Sequence, residues 1–179
     1  SAENFFIGKW GNYSAEMFPG EISNVAIYNQ TISAEDIKYL YNGGTPQTNI
    51  SFEPISWWKL DNLTTGIQDS GSASNNGTNN GATEVASNVA VDEWVFDNAV
   101  QSQTPNWSSA VDFDGSNDLI NCGNDSSLNF SSDVSISAWV NTSQTTAGAI
   151  AGKSYYRLEF GSNGIVSWSV YRTASNGRF

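Results

Sequence analysis

SAVDFDGSNDLINCGNDSSLNFSSDVSISAWV, residues Ser109–Val140, reads as three short strands separated by tight turns. Apolar and small or polar residues alternate over Ala110–Phe113 and over Leu119–Cys122. The alternation is cleanest at Val134–Val140, where Val134, Ile136, Ala138 and Val140 fall on one face and Ser135, Ser137 and Trp139 on the other. A period of two is what a half-buried strand requires, because successive side chains leave opposite sides of the pleat. The connections Asp114-Gly115-Ser116-Asn117-Asp118 and Gly123-Asn124-Asp125-Ser126-Ser127 collect residues that tolerate positive φ or bond their own backbone. This pattern predicts an antiparallel β-sandwich.

Outward from this stretch the chain keeps the same character. On its N-terminal side, Phe5–Lys9 and Glu21–Tyr28 read as strands, the second with Ile22, Asn24 and Ala26 on one face and Ser23, Val25 and Ile27 on the other. One short helix is predicted over residues 33–41. Ser33 and Asp36 form a capping-box pattern, Ile37, Leu40 and Tyr41 make an apolar stripe, and Asn42-Gly43-Gly44 suits a left-handed stop. Residues 46–56 are polar, carry Pro46 and Pro54 and lack a period, which predicts a linker. Trp57–Asp61 opens a further strand. Gln68–Gly81 is dense in turn residues, and Thr83–Pro105 is less regular. Ala149–Lys153, Tyr155–Gly161 and Ile165–Tyr171 read as three more strands.

Composition narrows the function classes. The chain has 179 residues, a net charge of −11, 13% aromatic and only 14% charged residues. Nucleic-acid binding needs a basic stripe, and the acidity argues against it. No run is long enough and apolar enough to insert in a membrane. Cys122 is the lone cysteine and predicts a small buried hydrophobe rather than a disulfide. The absence of His removes the usual imidazole base and metal ligand. Glycoside hydrolysis needs two carboxylates across a cleft. Glu21, Glu53, Glu84, Glu93 and Glu159 are scattered instead, so the chain is not expected to be an enzyme.

The run Ala-Val-Asp-Phe-Asp-Gly-Ser-Asn-Asp-Leu-Ile, then Ser-Leu-Asn-Phe, then Val-Ser-Ile-Ser-Ala-Trp-Val resembles the first half of a laminin G-like (concanavalin A-like) jelly roll of the bacterial and phage surface-protein type. Residues 57–179 are similar to the N-terminal part of such a domain. Residues 1–45, with Gly-Glu-Ile-Ser-Asn-Val-Ala-Ile-Tyr-Asn and then Thr-Ile-Ser-Ala-Glu-Asp-Ile-Lys-Tyr-Leu-Tyr-Asn-Gly, resemble the C-terminal part of another. The family's middle strands have no counterpart here. A front without its back leaves a sheet short of strands, with unpaired edges. Three arrangements remain open: a window from a tandem array, halves completed by neighbouring subunits, or two pieces that close on each other as a permuted, reduced sandwich.

The resemblance implies an extracellular, cell-surface or virion-surface setting, and a non-enzymatic structural or adhesion module. Its partners would be neighbouring copies or repeats of the fold and surface glycans. The alternative it implies is a lectin-like module of a larger secreted enzyme or adhesin. It also raises the expectation of a calcium ion, with Asp69, Asn75 and Asp114 as leading oxygen ligands; the competing reading is that these side chains cap turns. Aromatic rings near turns can stack on sugars, and Trp94, Trp107 and Tyr171 are the candidates for a carbohydrate site. Trp57, Trp58 and Trp139, which sit in strands, are expected in the core.

Overall fold

The computed structural model describes residues 3–11, 16–86, 109–143, 145–153, 155–162 and 164–170. Within them, two antiparallel sheets enclose one apolar core, as the alternating patterns predict. In chain order the strands are β1 (Phe6–Ile7), β2 (Pro19–Tyr28), β3 (Ser56–Trp58), β4 (Thr78–Asn80), β5 (Thr83–Ala86), β6 (Ser109–Asp114), β7 (Leu119–Asn121), β8 (Ser135–Asn141), β9 (Gly148–Lys153), β10 (Tyr156–Phe160) and β11 (Val166–Val170). One sheet, here sheet A, runs β11-β10-β9-β1-β7-β4. Sheet B runs β3-β2-β6-β5, with β8 also paired to β2.

Strands from the first 45 residues are interleaved with strands from residue 57 onward. β1 lies between β7 and β9, with Phe6 opposite both Asn121 and Gly152. β2 is central in sheet B. Ile22 faces Val111 of β6 on one edge and Val140 of β8 on the other, and Ile27 is likewise shared between Ser56 of β3 and Ile136 of β8. The strands of the two segments thus pair with each other in both sheets.

The core explains the pairing. Phe5, Ile7, Phe18, Ile22, Val25, Ile27, Trp58, Val111, Phe113, Ile120, Leu128 and Ile150 are all buried between the sheets, and Cys122 joins them as a small apolar residue. Phe5 stacks on Trp58 with ring centroids 5.2 Å apart, and the Trp58 indole N–H donates to the Asn75 carbonyl at 2.7 Å. Removing an aromatic ring of this kind from a closed core costs about 3–5 kcal/mol. β1 is only two residues long because Gly8 turns the chain at φ +81°. A Cβ there would run into the Phe113 ring, and the positive φ strains any L side chain, so glycine suits the turn.

Three expectations are corrected. The strict alternation read along β2 fails, because Asn24 adopts φ +48° and forms a bulge where the register against β8 slips between Ser23 and Ala26. The extra residue puts Ile22, Val25 and Ile27 on the inner face together and sends Ala26 and Tyr28 outward. β4 and β5 fall in stretches that read as loop. Thr78, Asn79 and Asn80 are exposed and carry no apolar alternation, so only their pairing with β7 makes them a strand. Finally, Trp139 is outside the core: it projects from the outer face of β8 and stacks on Tyr41 at 6.0 Å.

The helix forms as predicted. α1 spans Ala34–Tyr41, with Ser33 accepting from the Asp36 N–H, Asp36 reaching back to the Ser33 N–H, and Asn42 in the left-handed region at the C-cap. It lies over the outer face of sheet B. There Ala26, Tyr28 and Trp57 form a second small cluster with Ile32, Leu40, Ile50 and Phe52. Residues 46–55 cross this face without regular structure, held partly by the Ile55 N–H on the Ile27 carbonyl. No helix among the described residues is long and apolar enough to cross a membrane.

Candidate functional site

Asp69, Asn75 and Asp114 fall in two separate loops. Asp69 is itself bridged to Trp58 and organises the 69–76 turn. Its Oδ1 accepts the N–H of Trp57 at 2.7 Å and of Gly71 at 2.8 Å, and its Oδ2 accepts the N–H of Asn75 at 2.7 Å. Asn75 is buried, and its amide donates to the hydroxyls of Ser56 and Ser127, both at 2.9 Å. The sequence therefore brings Asp69 and Asn75 together, through backbone rather than through a shared cavity.

Asp114 ends β6 and caps its own turn. Its Oδ1 accepts from Ser116 at 2.7 Å and Asn117 at 3.2 Å, and these two N–H groups hold its carboxyl below the usual carboxylate range. Asp118 accepts the Asp114 N–H at 2.9 Å. Asp112, two residues back on β6, moves the other way: partial burial and the nearby charges of Asp118 and Asp114 raise it. Among the described residues no group of three or more Asp, Glu or Cys side chains is placed to hold a metal ion. Trp94, Trp107 and Tyr171, the candidates for a carbohydrate site, lie outside the described residues.

A concave feature lies between β8 and β11, the last described strands of the two sheets. β8 has β2 on one edge and no described partner on the other; β11 likewise has only β10. Between these two edges opens a groove of about 590 Å³, lined by both faces of β8, by Leu158 and Trp168 of sheet A, and by Tyr41 and Trp57 beside α1. Among the described residues no charged side chain lines it.

The inner face of β11 is uncovered. Tyr156, Leu158 and Phe160 of β10 stand opposite Val170, Trp168 and Val166, and directly opposed residues of an antiparallel pair share a face. The β10 residues belong to or pack on the core, so the β11 residues point to the same side. Yet Val166, Trp168 and Val170 are 55%, 41% and 53% exposed. Among the described residues, sheet B ends at β8 and places no strand over them. The sequence foreshadows a missing strand in general terms, but alternation alone does not say which residues would be left bare.

These observations define the class of the chain as an all-β sandwich of two antiparallel sheets with one open side. No protein-family model, no curated protein and no solved structure matches it.

Proposed function

We propose that this chain is a non-enzymatic structural or adhesion module of a cell or virion surface, built on a laminin G-like jelly roll and completed by neighbouring copies or repeats. The observation that carries the reading is the open side. A groove whose described lining is uncharged and mostly apolar, flanked by two strand edges with no described partner, is a surface that a solitary soluble domain protects. A module that meets its neighbours there needs no such protection. Light scattering across a concentration series tests it: assemblies larger than the 19.3 kDa chain support the reading, and a lone chain at every concentration rejects it.

A second reading, a lectin-like carbohydrate-binding module, is favoured by the Tyr41–Trp139 stack and the half-exposed Trp168 at the same groove. Rings of this kind present flat faces to sugars. Binding on a glycan array that is lost in Trp139→Ala would establish it. Calcium at Asp69, Asn75 and Asp114 is a proposal decided by melting curves. A rise in Tm with calcium that EGTA reverses supports it, and coincident curves rule it out.

A further inference from the structure

We infer that the open side is closed by a second copy of this chain, each copy laying its β11 against the free edge of the other's β8. The inference rests on the assembly reading above and specifies its geometry.

Among the described residues, what the open side lacks is a strand in sheet B, beyond β8, with an apolar face turned toward Val166, Trp168 and Val170. What the same side offers is such a strand. β11 has no described partner on its second edge, shares the groove with β8 through Trp168, and carries Val166, Trp168 and Val170 at alternate positions. Need and offer are the same element, which is the condition for a two-fold, isologous contact.

A two-fold rotation that seats the partner's β11 beside β8 returns the first copy's β11 to the partner's β8. The two apolar faces then meet across the gap between sheets. That gap is about 10 Å, and the added strand sits about 4.8 Å from β8, the ordinary spacings of stacked sheets and neighbouring strands. A direct β8-to-β8 pairing is disfavoured, since each copy's β11 would occupy the space needed by the other's.

The chemistry of the two edges agrees. Ser135–Asn141 and Val166–Val170 contain no charged residue and no proline, the devices that ordinarily keep an edge from pairing. Two chains of net charge −11 repel at long range, but the surfaces brought together carry none of that charge. The exposed Ile37 and Tyr41 border the same groove and extend the contact.

The test is sedimentation equilibrium of the unmodified chain and of Trp168→Glu, with hydrogen exchange of the unmodified chain at low and high concentration. The expected result is a dimer of twice 19.3 kDa. Its dissociation constant should rise by roughly 30-fold or more in Trp168→Glu, the size of effect expected from a central aromatic anchor. Thr78→Glu on β4, at the far edge of the same sheet, should leave it unchanged. In the unmodified chain, amides of β8 and β11 should gain protection as concentration rises, a readout that does not depend on any variant folding. An oligomer that survives Trp168→Glu, or forms without protecting β8 and β11, overturns this geometry while leaving the assembly reading standing. A monomer at all concentrations overturns both.

Discussion

The Asp69 carboxylate accepts the Trp57 N–H at 2.7 Å, tying the start of the sheet B strand β3 to a loop twelve residues further on. The same carboxylate gathers Gly71 and Asn75, so one side chain replaces the hydrogen bonds that three backbone groups would otherwise seek in water. Asp69→Ala is expected to destabilise the fold by about 2–4 kcal/mol, since it orphans three donors, some of them partly buried. Asp69→Asn retains one acceptor oxygen and should lose about half as much. Urea denaturation of the three proteins checks the order, and equal midpoints would refute it.

Asn24 separates two contributions at the β2 bulge. It holds φ +48°, and its Oδ1 accepts the Trp57 indole N–H at 2.9 Å. Asn24→Gly keeps the backbone conformation and loses the side-chain hydrogen bonds, this one and the long donation to the Ser23 hydroxyl at 3.3 Å, a loss of about 1–2 kcal/mol. Asn24→Ala adds the left-handed penalty of a Cβ and should fall about 1 kcal/mol below the glycine variant. Thermal denaturation distinguishes them; an alanine variant as stable as the glycine one would mean the bulge relaxes.

Asp112 stands directly opposite Glu21 across β2 and β6, a like-charge cross-strand pair. Burial first, then the charges of Asp118 and Asp114, raise its carboxyl from 3.8, so folding is opposed by its ionised form. The favourable, protonated state is fully present below 3.8 and is lost as pH rises through the raised value. Asp112→Asn should therefore raise Tm at pH 7 and leave it unchanged at pH 3. An unchanged Tm at pH 7 would contradict the repulsion.

Alkaline pH should weaken the fold through buried neutral acids. Burial pushes the Tyr28 phenol up to about 12, and raises the Tyr156 phenol and the Cys122 thiol as well. Each stabilises the native state fully below its unfolded value, 9.0 for the thiol and 10.0 for the phenols, and that contribution drains away as pH climbs beyond it. Tyr28 alone accounts for at most roughly 3 kcal/mol. Burial lowers Lys153, which works in the opposite sense, its penalty easing as pH approaches 10.5. Three losses against one gain predict a falling urea midpoint above about pH 9, and a flat profile to pH 11 would refute it.

Much of this molecule was legible before any coordinates. The period of two at Val134–Val140 placed Val134, Ile136, Ala138 and Val140 inward, and they pack on the core as read. The Ser33–Asp36 box and Asn42 stop bounded α1 to within a residue. These features are local: a cap, a turn or a pleat is decided by residues that are neighbours in the chain. Asp69 was singled out for its oxygen atoms, and its three N–H partners became visible only when the loop closed on β3.

By itself, then, the sequence determined an all-β chain of two antiparallel sheets with one capped helix, because alternation and turn chemistry act over a few residues. The tertiary structure decided what depends on distant partners. It made Thr78–Asn80 a strand by giving it β7, shifted the faces of β2 through the Asn24 bulge, and turned Trp139 out to meet Tyr41. It also decided that Val166, Trp168 and Val170 stay bare. Alternation gives each residue a side of its own strand, whereas burial requires another sheet across from it, and above β11 the described residues provide none.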